Sequence, residues 1–340
     1  MRFSAILAVS LASLAVAAPA AWAAGAAAIT GAGSSFAAPL YEKWGEAALP
    51  ATGVKLNYQS VGSGAGQKLV LARTVDFGAS DAPMTTAKLA AGHLLQFPTA
   101  MGAECIAINL PGIASNQLRL SGPVLAAIYE GKITRWNVPE IVGLNPGVTL
   151  PDLPIAPVYR ADGSGTTFVF TTYLSKVSPD FASSVGAATA VQWPAGTGAK
   201  GNAGVAAAVK NTSGGLGYVE AAYALLNHLT ITQLQNHDGA FVTPSKETFA
   251  SAAAHADWVG AKNFAIDLTD QPGAASWPIM SATFVLLPND AAAKAQSAAV
   301  IKLFDWALTN GDKGATDLQY ITLPDAVKTA VRGAWKGIGG

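Results

Sequence analysis

Cysteine is nearly absent from this chain: Cys105 is the one thiol among 340 residues. A lone cysteine excludes an internal disulfide framework and any cysteine-ligated zinc or iron–sulfur centre. Its setting, the apolar run C-I-A-I-N-L at 105–110, is that of a buried bystander. Charge is scarce too. Asp, Glu, Lys and Arg make up 12% of residues, and 21 basic side chains balance 21 acidic ones. An ordinary globular protein carries about twice that charged fraction. With no net charge and no basic run, the chain lacks the electrostatic footprint that nucleic-acid or anionic-membrane binding requires, so no nucleic-acid partner is expected. Histidine is limited to His93, His228, His237 and His255. They show neither the i, i+4 spacing nor the H-E-x-x-H context of a zinc helix, so neither metal nor cofactor is expected. Beyond the N-terminus no apolar run reaches the roughly 18 residues of a membrane span.

The N-terminus has a pattern of its own. Arg2 precedes an apolar stretch over 5–18, Pro19 and the triplet Ala21-Trp22-Ala23. This is a secretory signal with a small-x-small cleavage site, so residues 1–23 are expected to be removed. No cysteine stands near the cut and no twin arginine precedes the apolar stretch, which implies export of an unfolded chain and release of a free, soluble protein.

The remaining length suits about two domains with a cleft between them. Short β-like runs at 55–58, 75–77, 103–110, 155–160 and 281–288 alternate with helix-like stretches at 36–49, 66–73, 123–129, 167–174 and 299–308. Such alternation predicts α/β layers around mainly parallel sheets. The proline-marked segments 97–103 and 276–281 each lead into an apolar strand and are either crossings between lobes or plain loops.

Four loops of small residues carry the functional information: G-A-G-S-S-F at 31–36, G-S-G-A-G at 62–66, D-F-G-A-S-D-A-P at 76–83 and R-A-D-G-S-G-T-T at 160–167. Three of them open a helix-like stretch. The first N–H groups of a helix lack internal partners and carry the positive end of its dipole, which makes such an end a ready anion site. Glycine lets the backbone approach an oxyanion, and Ser and Thr hydroxyls add donors that rotate to fit. One such loop alone is usually an N-cap; four, with Arg160 offering a planar fork of five donors, are harder to dismiss. Asp162 either orients Arg160 or caps the next helix. Asp81 either caps the turn that Pro83 begins or stands as an acceptor among donors. A carboxylate repels an anion unless that anion brings a proton to donate, which phosphate does near neutral pH and sulfate does not.

Enzyme motifs fail. Gly31 and Gly33 lack the third glycine of G-x-G-x-x-G and follow no clear strand. The string G-T-G-A-K-G at 196–201 lacks the spacing and hydroxyl of a phosphate-binding nucleotide loop. Ser164 has Asp162 where a nucleophile elbow needs glycine. The glycine-rich strings at 200–204 and 214–220 read as loops that could line a cleft, without assigned chemistry.

With these residues in view, the chain closely resembles the phosphate-binding proteins of bacterial phosphate ABC transporters, the PstS type. Matching segments are 30–36, 54–66, 74–83, 131–136, 160–170, 215–220 and 277–279, nearly the whole span of the mature chain. The resemblance implies a two-lobed type II periplasmic-binding-protein fold, with one lobe from 25–100 plus 277–340, the other from 101–276, and a cleft between them bridged by two crossing segments. It implies dehydrated inorganic phosphate held by hydrogen bonds without metal, and no catalysis. The ligand residues it carries over are Ser35, Phe36, Ser63, Asp81, Arg160, Ser164, Gly165 and Thr166, with Asp162 supporting Arg160. It further implies a periplasmic location and, as partners, membrane permease subunits with their ATPase. Departures are few: Ser35 stands where some members have Thr, and Ala37 where Pro is common. A secreted phosphatase-like enzyme using Ser164 and a binder of another oxyanion are the alternatives.

Overall fold

The structure, a computed structural model, describes residues 27–258, 260–336 and 338. The expected signal segment 1–23 lies outside them. Twelve strands occur among the described residues: β1 (Ala27–Gly33), β2 (Val54–Ser60), β3 (Phe77–Ser80), β4 (Leu94–Asn109), β5 (Arg119–Leu120), β6 (Ala156–Arg160), β7 (Thr197–Ala199), β8 (Gly215–Glu220), β9 (Thr230–Ile231), β10 (Gln233–Gln235), β11 (Phe241–Val242) and β12 (Met280–Pro288). Nine form one long sheet in the order β2-β1-β3-β12-β4-β8-β6-β7, with β9 also pairing β4. β5, β10 and β11 make a small separate sheet.

The expectation of mainly parallel sheets needs correction. β1 pairs in parallel with β2 and β3, and β6 with β7 and β8, but the centre, where β12 meets β3 and β4 and β4 meets β8, is antiparallel. The reason lies in β4 and β12, which run in opposite directions between two parallel halves. Residues 94–103 of β4 pair with β12, whereas Glu104 and the residues after it pair with β8. One strand thus belongs to both halves. The segment 97–103 is therefore continuous strand and not a loop. Pro98 is tolerated because the register slips opposite it, between Thr283 and Phe284, and such irregularities are where proline fits a sheet.

Each half has its own aromatic group. Tyr41, Phe77, Phe97 and Phe304 meet edge to face on one side, with Tyr41 and Phe304 centroids 5.2 Å apart. On the other, Phe170 stacks on Tyr218 at 4.2 Å and Tyr129 and Trp193 close around them. Rings bury much apolar area at low entropic cost, and both groups belong to one continuous core that also takes in Met101, Cys105 and Ile106 of β4.

Three local expectations also shift. β1 includes Gly31 to Gly33, so the first loop does follow a strand. The strand expected at 75–77 is β3, which begins at Phe77 and takes up four residues read as loop. The helix after Pro83 starts at Thr86 and is capped by Thr85, whose Oγ1 accepts from the Lys88 amide at 3.3 Å, and not by Asp81. No helix among the described residues is long and apolar enough to cross a membrane.

Candidate anion-binding site

Four strands end at one place. β1 delivers Ser34, Ser35 and Phe36 before the helix Ala38–Thr52; β2 delivers Gly62 and the helix Ser63–Leu71; β3 ends beside Asp81; β6 ends at Arg160 and leads into the helix Gly165–Val177. Ligands of open α/β sheets collect at such carboxyl ends of strands, where helix N-termini converge. Close packing demands glycine here. A Cβ on Gly33, at φ 142°, would lie 2.0 Å from the Ala79 carbonyl oxygen, and one on Gly62, at φ 92°, would lie 2.3 Å from Oδ2 of Asp162.

Asp81 is buried and surrounded by hydroxyls. Ser34 Oγ donates to Oδ1 at 2.6 Å and Oδ2 at 2.8 Å, Thr283 Oγ1 donates to Oδ1 at 2.8 Å, and Ser63 Oγ donates to Oδ2 at 3.2 Å. The single Ser34 proton is shared between both oxygens, so three hydroxyl protons make four contacts with the carboxylate, two on each oxygen. Burial pushes the Asp81 carboxyl up from its usual range; the hydroxyls of Ser34 and Thr283, the charge of Arg160 and Ser63 all act against this.

Arg160 is held as a fixed fork. Its Nε donates to Asp162 Oδ1 at 2.8 Å, Nη2 to Oδ2 at 2.5 Å, and Nη1 to Thr166 Oγ1 at 3.1 Å, with the guanidinium almost wholly buried. Burial raises the Asp162 carboxyl, but hydrogen bonds and charge from Arg160 and the Gly201 amide outweigh it and hold the group below its usual range. The two roles left open for Asp162 are thus decided: it pairs with Arg160, and Ser164 caps the helix by accepting from the Thr167 amide at 2.9 Å.

The two halves touch through this site. The Gly64 amide donates to the Gly163 carbonyl at 2.9 Å, Tyr223 Oη donates to the Ser35 carbonyl at 2.8 Å, and Asn202 Nδ2 donates to Ser35 Oγ at 3.0 Å. Of the residues expected in the site, Ser35, Ser63, Asp81, Arg160, Asp162, Ser164, Gly165 and Thr166 are brought together. Phe36 follows Ser35 in the chain, but its ring sits in the core edge-on to Tyr320, and its carbonyl accepts from Tyr320 Oη at 2.5 Å. Ser34, Thr283 and Asn202 were missed. Ser34 was legible as half of a Ser-Ser pair, and Asn202 lay in the glycine-rich string at 200–204, whereas Thr283 carried no signal inside its apolar strand.

A family model described as the PBP superfamily domain matches residues 18–310. The phosphate-binding protein PstS of Pasteurella multocida is 49% identical over 308 residues, which is 91% of this chain and 90% of that protein. This chain belongs to the PstS family. PstS of Haemophilus influenzae is 46% identical over 308 residues, 91% of this chain and 92% of that protein. Among solved structures, the phosphate-binding protein of Stenotrophomonas maltophilia has a TM-score of 0.65 at 23% identity, covering 91% of this chain and 94% of that one. The ancestral soluble variant of the human phosphate binding protein has a TM-score of 0.71 at 20% identity, covering 90% and 93%. At such identities the likeness concerns the fold, and the two-lobed periplasmic-binding fold expected from the sequence is that of this PstS-family chain.

Proposed function

We infer that this chain captures inorganic phosphate between its lobes and delivers it to an ABC-type phosphate importer. The observation that carries this is one buried acceptor, Asp81, set in a ring of donors: the Arg160 guanidinium, the hydroxyls of Ser35, Ser63, Ser164 and Thr166, and the helix starts at Ser63 and Gly165. A ring of donors suits any oxyanion; the acceptor suits one that keeps a proton. The PstS relatives at 46–49% identity, named phosphate-binding proteins, support the same ligand.

The magnitudes are adequate. A micromolar site requires about −8 kcal/mol, and association itself costs at least ~4. Charge-assisted hydrogen bonds contribute about 1.5–3 kcal/mol each, so roughly four to eight of them suffice without net positive charge. The proposed ligand set is Ser35, Phe36 through its backbone, Ser63, Asp81, Arg160, Ser164, Gly165 and Thr166, with Asp162 aligning Arg160.

The proposed lobes are 25–100 plus 277–340 and 101–276, a division supported by the change of partner along β4 at Ala103 and Glu104. Ligand contacts on both lobes favour the closed form, which membrane permease subunits would recognise in the periplasm after removal of the signal segment. The chain acts as a carrier and not a hydrolase: Ser164 Oγ is engaged as a helix cap, and Ser63 Oγ donates to a carboxylate already held by other hydroxyls. Calorimetric titration of phosphate-stripped protein with phosphate and sulfate tests the reading. Tight phosphate binding with sulfate at least about 100-fold weaker is expected, a gap of roughly 2.7 kcal/mol; equal affinities would overturn it.

A further inference from the structure

We propose that Asn202 is a positioning residue that turns two hydroxyls of the site into obligate donors toward the bound anion. This inference rests on the phosphate reading above and gives a role to the glycine-rich string at 200–204.

Asn202 is fully buried at the start of the helix Gly201–Asn211. Its Oδ1 accepts the Glu220 amide at 3.0 Å, and an N–H can face only the oxygen, which fixes which way the side-chain amide points. The two Nδ2 protons are then aimed at two different hydroxyl oxygens, Ser35 Oγ at 3.0 Å and Thr166 Oγ1 at 3.2 Å. Ser35 Oγ also accepts the backbone amide of Asn202 at 3.2 Å, and Thr166 Oγ1 also accepts Arg160 Nη1 at 3.1 Å.

A hydroxyl has two lone pairs and one proton. With both lone pairs filled by N–H donors, Ser35 and Thr166 have only their protons left to offer. Neither can then act as an acceptor toward the ligand, so this side of the site meets unprotonated oxygens. The proton-bearing oxygen is left to Asp81, the carboxylate of the site that is not hydrogen-bonded to Arg160.

Ser35 and Asn202 lie in different lobes, so the Ser35 hydroxyl acquires this polarity only when the lobes meet. Asn202 thus ties donor alignment to closure. The same corner assists Arg160: the Gly201 amide donates to Asp162 Oδ1 at 2.9 Å, on the carboxylate that holds the guanidinium.

A double-mutant cycle read by phosphate titration tests the proposal, with thermal unfolding of each ligand-free form checking that it is folded. Asn202→Ala is expected to raise Kd about tenfold or more, the loss of roughly one charge-assisted hydrogen bond. In a Ser35→Ala, Thr166→Ala background, where no hydroxyl remains to be aligned, the same change should alter Kd by less than about twofold. A full tenfold loss in that background, or a Kd for Asn202→Ala within twofold of the parent, would overturn the role. Where the alanine form does not fold or the background binds too weakly to measure, Asn202→Asp carries the test. It keeps the acceptor for the Glu220 amide but draws both hydroxyl protons away from the ligand. Its Kd should exceed the parent's at least about 100-fold, and a loss under tenfold would overturn the proposal. Failure of the parent chain to bind phosphate would instead overturn the phosphate reading.

Discussion

A methyl group on Gly165 would lie 2.5 Å from Oδ2 of Asp81 and 2.5 Å from Oγ of Ser63. Gly165 opens a helix of one proposed lobe, and Asp81 and Ser63 belong to the other, so under that division this glycine marks how closely the lobes approach. Its role is spatial: the residue lies in ordinary helical backbone. Gly165→Ala should therefore hold the lobes apart by the width of a methyl group. Phosphate affinity is expected to fall about tenfold or more, while the melting temperature of the ligand-free form stays within a few degrees of the parent, because no lobe core is touched. Unchanged affinity would mean that closure does not bring these residues together.

Under the phosphate reading, Asp81 would set selectivity by whether it accepts or donates a proton. Asp81→Asn supplies a donor where a fully ionised oxyanion needs one, so sulfate binding should strengthen and the phosphate-to-sulfate ratio should narrow at least about tenfold. Acid should act in the same direction on the parent chain. Burial raises the Asp81 carboxyl, so it takes up a proton at higher pH than an ordinary aspartate and becomes a donor. Sulfate affinity that rises as pH is lowered toward 4 is the expected titration result, and a flat profile would show that Asp81 does not face the anion.

Arg160→Ala removes the one guanidinium of the site and leaves Asp162 without its partner. Phosphate affinity should drop by about 2 kcal/mol or more, roughly thirtyfold, and Arg160→Lys should recover only part, since an ammonium cannot reproduce the fork. A dissociation constant within threefold of the parent after Arg160→Ala would take Arg160 out of the site.

Glu104 sets a pH dependence of stability. It is fully buried where β4 changes partners, it pairs across the strands with Glu220, and neither carboxyl oxygen meets a hydrogen-bond partner among the described residues. Burial, then the charge of Asp81, pushes its carboxyl well above the usual range, against the opposing charge of Arg160. The folded chain therefore keeps a proton that the unfolded chain releases near pH 4.3, and stability declines as pH rises above that value, by up to about 1.4 kcal/mol per unit, until the folded group ionises. Glu104→Gln removes this term. The difference in melting temperature between the glutamine form and the parent should widen from pH 5 to pH 8; a constant difference over that range would place Glu104 among ordinary carboxyls.

Much of this was legible in the order of residues. The alternation of runs indicated α/β layers because helix and strand periodicities leave different local patterns. Loops rich in Gly and Ser, with Arg160 and Asp81 among them, were visible as strings because close approach to an oxyanion requires those residue types nearby in the chain. Relationships between distant segments were not legible. Thr283 reaches Asp81 from a strand that reads as plain core, and Asn202 reaches Ser35 across the cleft; nothing local in either string states its partner. The antiparallel centre of the sheet, the choice of Asp162 as partner to Arg160 over helix capping, and the burial of Glu104 opposite Glu220 were likewise decided by how the two halves pack. Local sequence fixes what a residue can donate or accept, while only the folded arrangement fixes what stands within 3 Å of it.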